Sequence, residues 1–228
     1  MKLSIITPVY NEEGTVKQLM EMVSSVKYPL EYEHVVVNDG STDGTVKKII
    51  EAKNGNVKFI NLQKNGGKGF AIRQGLKEAS GDIFIIQDAD LEYDPKQIPA
   101  IIKPIVDGKT EVVFGSRYMC IQGGYQNHLH NFGNKFLTLM TNMIYGTRLT
   151  DMETCYKSFT KNVLNSMNLK CTRFDFEPEI TAKIAKKKFS ILEVPIKVNP
   201  RRHEEGKKIT WRDGFKALFY LIKYRFAD

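Results

Sequence analysis

Ile83-Phe84-Ile85-Ile86-Gln87-Asp88-Ala89-Asp90-Leu91-Glu92 is the stretch on which the fold turns. It opens with a short unbroken apolar run after Gly81-Asp82, the pattern of a strand buried on both faces of a sheet. The run stops at carboxylates: Asp88 and Asp90 with one residue between them, then Glu92. In an open α/β sheet, ligands bind in the crevice beyond the carboxyl ends of the strands. Carboxylates gathered there suit a hard divalent cation, which takes oxygen ligands and bridges to substrate phosphates.

Strand and helix patterns alternate on either side of that stretch. Apolar runs predict strands over 3–7, 34–37, 57–60 and 111–114. Helical periodicity predicts helices over 13–26, 45–53, 70–79 and 97–106, with Val16, Leu19, Met20 and Val23 on one face of the first. Repeated strand–helix units imply an α/β fold with a mostly parallel central sheet flanked by helices. After Arg117 the pattern loosens: a loop over 118–130, then a helix over 131–145 with Phe132, Phe136, Leu139, Met140 and Met143 inward. A helix over 177–186 follows, then a strand over 191–198 whose Pro195 assigns it to an edge or bulge. A polar loop over 199–208 leads to a last helix over 211–226, with Trp211, Phe215, Leu218 and Ile222 on one face and basic residues largely elsewhere. Such a helix either packs on the body or lies in a membrane interface.

The chain has 228 residues, enough for one sizeable domain with its own core. Its three cysteines lack metal-ligand spacing and are too few for a disulfide framework, so a reducing compartment is expected. The N-terminus does not read as a signal peptide, and no apolar stretch is of membrane-spanning length. The expected location is cytoplasmic, or peripheral at the cytoplasmic face of a membrane. The net charge is +8, of which +7 falls between Lys186 and Asp228. A basic end on a near-neutral body implies an anionic partner at that end. Nucleic acid is disfavoured, because the aromatic residues there fall on one helical face rather than forming a stacking platform.

The other strand ends carry chemistry too. The first strand runs into Thr7-Pro8-Val9-Tyr10-Asn11-Glu12, and the second into Asn38-Asp39-Gly40-Ser41-Thr42-Asp43-Gly44-Thr45. Tyr10 suits stacking on a nucleobase, and Asp39 suits accepting from a base N–H. No Gly-x-Gly-x-x-Gly follows the first strand, and Gly66-Gly67-Lys68-Gly69 lacks the Walker spacing. A Rossmann dinucleotide site and a P-loop are therefore disfavoured. The glycine cluster is either a flexible turn or a way to bring backbone amides and Lys68 to a diphosphate.

These segments, with Gly115-Ser116-Arg117, resemble a family 2 glycosyltransferase, and most closely the dolichyl-phosphate mannose and glucose synthase branch. The resemblance extends over almost the whole chain. It implies a single GT-A domain over 1–228, with a nucleotide-sugar-binding half (1–117) and an acceptor-binding half (118–228). It implies a GDP-mannose or UDP-glucose donor, a dolichyl or undecaprenyl phosphate acceptor, and Mg2+ or Mn2+. By the same resemblance Pro8, Tyr10, Glu12 and Asp39 hold the nucleoside, with Lys68 near the diphosphate. Asp88 and Asp90 flank the sugar diphosphate, Asp90 and Glu92 ligate the metal, and Arg117 meets the acceptor phosphate. Arg201 and Arg202 match the family's mobile basic loop over the acceptor. The segment 150–157 departs from relatives, with Cys155 and Lys157 where Gly and Arg are usual. Two alternatives remain: a family 2 enzyme acting on a sugar hydroxyl, with Asp151 or Glu177 as base, and a non-catalytic nucleotide-sugar-binding or membrane-docking module.

Overall fold

The computed structural model describes residues 1–119, 128–200 and 211–226. The first half alternates strictly: β1 (Lys2–Val9), α1 (Val16–Ser25), β2 (Glu31–Asp39), α2 (Thr45–Ala52), β3 (Val57–Leu62), α3 (Lys68–Glu78) and β4 (Ile83–Ile86). A 3-10 turn (Pro95–Gln97) then leads into α4 (Ile98–Val106) and β5 (Val112–Ser116). The second half contributes α5 (His128–Tyr145), β6 (Lys157–Thr160), α6 (Lys161–Asn165), α7 (Phe176–Lys186), β7 (Ile191–Pro195) and α8 (Trp211–Phe226).

These strands form one seven-stranded sheet in the order β3-β2-β1-β4-β6-β5-β7. All neighbours pair in parallel except β6, which runs antiparallel to both β4 and β5. β1 and β4 are buried on both faces, as continuous apolar strands covered by helices should be, β4 at every position, whereas β3, at the sheet's edge, exposes Lys58 and Asn61. The expected α1 face, Val16, Leu19, Met20 and Val23, is the buried one. Helix α3 lies so close to the sheet that a Cβ at Gly75 would come within 2.6 Å of Ile6 Cγ2.

The chain leaves β1 to one side for β2 and β3, then crosses to its other side for β4. That reversal opens a crevice at the carboxyl ends of β1 and β4. Because β6 is antiparallel, its amino end, and the loop before it, lie at the same edge as the carboxyl ends of β4 and β5. This brings residues 150–157 to the crevice.

Two elements were not foreseen in the sequence, and one expectation, the inward face of α5, is corrected. Strand β6 and helix α6 have no apolar pattern to betray them: Lys157-Ser158-Phe159-Thr160 holds a buried lysine, paid for by local carbonyls described below. In α5, the face taken as inward is outward. Phe132, Phe136, Leu139 and Met143 are exposed, whereas Leu137, Thr138 and Thr141 are buried. The threonines can go inward because each hydroxyl is satisfied: Thr141 Oγ1 donates to the Leu137 carbonyl at 2.8 Å, and Thr138 Oγ1 accepts from the Met152 amide at 3.1 Å. In α8 the buried positions are Ala217, Leu221 and Tyr224, and Phe215 and Ile222 are exposed. Strand β7 is an edge strand, as Pro195 requires, and ends at that residue. Most of the expected loop over 118–130 falls outside the described residues, and α5 begins within it, at His128.

Candidate active site

The loops after β1 and β2 are cross-braced by side chains that the sequence places at both ends. Asn11 sits in left-handed backbone (φ 52°). Its amide donates to Ser41 Oγ at 3.0 Å, and its Oδ1 accepts from the Thr42 amide at 2.9 Å. The Glu12 amide donates to Thr45 Oγ1 at 2.8 Å, and Glu13 Oε2 accepts from the Gly44 amide at 2.7 Å. Pro8 is buried in the sheet in register with Val37. Tyr10 and Glu12 follow at the strand's end, both half-buried; Glu12 Oε2 accepts from Thr15 Oγ1 at 2.8 Å.

Asp39 closes β2 and is buried, and its two oxygens accept from the Gly66 and Gly67 amides, each at 2.8 Å. Gly67 has φ 93°, and a Cβ there would lie 2.4 Å from the Thr172 carbonyl, so only glycine fits. The next amides, of Gly69 and Phe70, donate to the Arg173 and Thr172 carbonyls. The amides of Gly66, Gly67, Gly69 and Phe70 are thus engaged inside the protein, and Lys68 is the cationic side chain of the cluster. Asp39 is both a candidate nucleoside contact and the pin of this turn. Asp39→Ala is expected to weaken nucleotide binding by about 1–3 kcal/mol and to lower stability by a similar amount, since two buried amides lose their acceptor. Calorimetry with a nucleoside diphosphate and a thermal melt measure the two effects. Unchanged affinity with lowered stability would leave Asp39 only the structural part.

The end of β4 is held from behind. Gln87 Nε2 donates to the Tyr93 carbonyl at 3.1 Å, and its Oε1 accepts from Tyr156 Oη at 2.7 Å. Leu91 has φ 62°, and the Glu92 amide donates to Asp90 Oδ1 at 3.1 Å. The Asn199 amide donates to the Glu92 carbonyl at 2.9 Å, so the chain passes Glu92 just before the basic segment. Arg201 and Arg202 themselves lie outside the described residues. The Lys68 ammonium sits 2.9 Å from Asp88 Oδ1 and 2.9 Å from Glu177 Oε1, in the first turn of α7. Burial works against the Lys68 charge, but Asp88 and Glu177 outweigh it and hold the ammonium above the usual lysine range.

Among the described residues, no three histidine, cysteine or acidic side chains form a ready-made cation cage. Mg2+ does not require one: it takes one or two carboxylates and fills its other positions with water and phosphate oxygens. Asp90 and Glu92, partly exposed at the strand end, fit that demand.

At the end of β5, Arg117 is buried and paired with the fully buried Asp151: Nε to Oδ2 at 2.6 Å and Nη2 to Oδ1 at 2.7 Å. The Arg117 amide also donates to Asp151 Oδ2 at 3.0 Å. Glu193 of β7 supports this loop, accepting from the Thr150 and Asp151 amides at 2.8 and 3.0 Å. Glu179 is likewise internal, accepting from the Lys170 and Cys171 amides and ion-paired to Lys183 at 2.9 Å.

Lys157 is a further buried cation that no motif announces. Its ammonium donates to the Met152 and Thr154 carbonyls at 2.6 and 2.7 Å and lies 4.5 Å from the Phe114 ring centre. Burial pushes it down to about 8. Nearby Glu153 is pushed up to about 7, by burial first and the Glu177 charge second, and its buried Oε1 has no hydrogen-bond partner among the described residues. An acid with a raised folded-state pKa contributes stability at low pH that is lost as pH climbs from the ordinary glutamate range to about 7. Glu153→Gln is therefore expected to raise the melting temperature at pH 8 and to leave it near wild type at pH 4, below both values. An equal gain at both pH values would mean that Glu153 does not titrate in this range. Cys155 and Cys171 are buried thiols, and Cys120 lies outside the described residues.

Solved structures share the architecture. Glucosyl-3-phosphoglycerate synthase from Mycobacterium tuberculosis, determined in complex with UDP, superposes with a TM-score of 0.77 over 98% of this chain and 80% of its own, at 19% identity. Other structures of that enzyme hold UDP with Mg2+, or Mn2+ with UDP and glucosyl-3-phosphoglycerate. This is the GT-A arrangement. Among curated proteins, the dolichol-phosphate mannosyltransferase of Pyrococcus furiosus is 34% identical over 215 residues, 91% of this chain and 59% of its own. The low-salt glycan biosynthesis hexosyltransferase Agl6 of Haloferax volcanii is 30% identical over 96% of this chain and 53% of its own. The undecaprenyl-phosphate 4-deoxy-4-formamido-L-arabinose transferase of Proteus mirabilis is 31% identical over 83% of this chain. The chain thus spans between half and three fifths of the length of the first two relatives. The profile of glycosyl transferase family 2 matches residues 4–167, a span that holds every strand end of the crevice, and the chain belongs to that family.

Proposed function

We propose that the chain transfers a hexose, mannose or glucose, from a nucleotide-sugar donor such as GDP-mannose or UDP-glucose to a polyprenyl phosphate, with inversion at the anomeric carbon. Relatives named for transfer to dolichol phosphate and undecaprenyl phosphate support the acceptor class. One observation favours a phosphate over a sugar hydroxyl. A hydroxyl acceptor needs a carboxylate base, and both candidates are committed: Asp151 to the Arg117 fork, Glu177 to Lys68. A phosphate monoester, with a second pKa of about 6, arrives largely dianionic and needs no base.

In this reading Tyr10, Glu12, Pro8 and Asp39 hold the nucleoside at the ends of β1 and β2. Lys68 meets the sugar diphosphate, which Asp88 and Asp90 flank, with Asp90 and Glu92 as ligands of a Mg2+ or Mn2+. That cation, when bound, neutralises the departing diphosphate. Arg117, at the end of β5 across β6 from Asp88 and Asp90, meets the acceptor phosphate, and Arg201 and Arg202 reach it from the segment that follows Asn199. The chain would act at the cytoplasmic face of a membrane as a peripheral protein.

A donor panel tests this. Radiolabelled GDP-mannose and UDP-glucose are incubated with the protein, polyprenyl phosphate and Mn2+, and label is counted in the organic phase. One donor is expected to give lipid-linked sugar. Label that stays in water with the lipid, yet moves to an added oligosaccharide, would overturn the lipid acceptor in favour of a hydroxyl.

A further inference from the structure

Gln87 is the first residue past β4, and its side chain is fully buried. The reaction proposed above gives it no task, yet its amide closes the turn that carries the acidic residues. Nε2 donates to the Asp88 carbonyl at 3.0 Å and to the Tyr93 carbonyl at 3.1 Å, so one nitrogen ties together the two ends of residues 88–93. Carbonyls can only accept, which fixes the nitrogen on their side and turns Oε1 toward Tyr156 Oη, whose hydroxyl donates to it at 2.7 Å. Tyr156 is held in turn. It is fully buried, its ring meets that of Tyr93 edge-on with centroids 4.9 Å apart, and Tyr93 Oη accepts from the Cys155 amide at 3.2 Å.

The turn needs such a clamp because the sheet stops short of it. β4 pairs with β1 as far as Ile86, and the Gln87 amide adds one further bond, to the Ile6 carbonyl at 2.9 Å. Beyond that point Leu91 sits in left-handed backbone at φ 62°, which a residue with a Cβ holds only where its surroundings enforce it. Asp90 stands immediately before this kink and Glu92 immediately after, so the separation of the two carboxylates depends on it. Mg2+ demands near-octahedral geometry, which makes that separation matter. From outside, the Asn199 amide donates to the Glu92 carbonyl, and Tyr93 pairs with Val198. From inside, the Gln87 amide is the clamp. An apolar side chain of the same length would fill its space and supply neither bond to the turn.

We propose that Gln87, oriented by Tyr156, is a positioning residue for the divalent cation: it touches neither metal nor substrate, and it holds Asp90 and Glu92 at the separation that one cation requires. The role rests on the reading of Asp90 and Glu92 as metal ligands. Mn2+ uptake in the presence of UDP or GDP, followed by loss of the paramagnetic resonance signal of free Mn2+, measures it without any transfer reaction. Gln87→Met keeps the length of the side chain and removes its donors. It is expected to weaken Mn2+ binding by about 10- to 100-fold, as loss of a group that orients metal ligands does. Tyr156→Phe removes only the hydroxyl and is expected to weaken binding by about 2- to 10-fold. In transfer assays the KM for Mn2+ should rise in step, while kcat at saturating Mn2+ stays close to wild type. Each variant is measured well below its own melting temperature, where a purely structural role would leave the Mn2+ affinity unchanged. Wild-type Mn2+ affinity in folded Gln87→Met would overturn the proposal; should that variant not fold, wild-type affinity in Tyr156→Phe overturns it. Absence of Mn2+ uptake by the unsubstituted protein would instead remove Asp90 and Glu92 as metal ligands, and the role of Gln87 with them.

Discussion

Asp90→Asn is expected to abolish sugar transfer, by at least about 100- to 1000-fold, while the protein stays folded. The fold is spared because the side chain is only half-buried and accepts the Glu92 amide, a bond that an asparagine Oδ1 makes as well. What is lost is the charge that a hard cation needs from its few protein ligands. The melting temperature should therefore stay close to wild type, as for other substitutions away from the core. EDTA should silence the wild type, and added Mg2+ or Mn2+ should restore it. Activity that survives EDTA, or a variant with wild-type turnover, would remove the cation from the reaction.

The second large effect falls on Arg117. Arg117→Ala leaves the Asp151 carboxylate, fully buried, without the guanidinium that meets both its oxygens. Breaking a buried pair from one side costs about 3–5 kcal/mol, because an uncompensated charge remains. For a domain of this size that is a fall of roughly 6–20 °C in melting temperature. Removing both charges while keeping an acceptor for the Arg117 amide, Arg117→Met with Asp151→Asn, should recover most of that loss. If Arg117 also meets the acceptor phosphate, the stable double variant will still show a raised KM for polyprenyl phosphate or lost transfer, with donor affinity little changed. Arg117→Lys should rescue only in part, since a point charge cannot reproduce the two-pronged contact. A double variant with normal acceptor dependence would reduce Arg117 to a structural role.

The strand ends were legible because their signal is local. An apolar run followed by Asp88-Ala89-Asp90, or by Asn38-Asp39-Gly40, marks within a short stretch both the element and the polar groups at its end. β1 to β5 and α1 to α4 accordingly appear where periodicity put them, within a few residues at each end. What escaped was long-range. The bond between Lys68 and Glu177 joins residues 109 positions apart, and the Arg117–Asp151 pair spans 34. No motif announced that Asp151, a plausible base on its own, would be consumed by an arginine. β6 was hidden because its four residues hold a lysine whose partners are backbone carbonyls, invisible to a pattern of side chains. The α5 stripe was misassigned for a different reason. Periodicity shows that one face of a helix is apolar, and assigning that face to the core assumes that the other side is water.

The capping of α3 has a consequence for how the chain can be divided. The Gly69 and Phe70 amides that open this helix are satisfied by carbonyls of residues 173 and 172, beyond the end of the family match at 167. Two further amides of the same turn depend on Asp39. A fragment cut at 167 would therefore keep every nucleoside-contacting residue named here and still expose bare N–H groups where its glycine turn meets solvent. The proposed nucleotide pocket would be finished by chain that has yet to be synthesised when β1 to β4 are complete. On a ribosome, competence for the donor would come late, only once the helix bearing Glu177 has emerged and folded back.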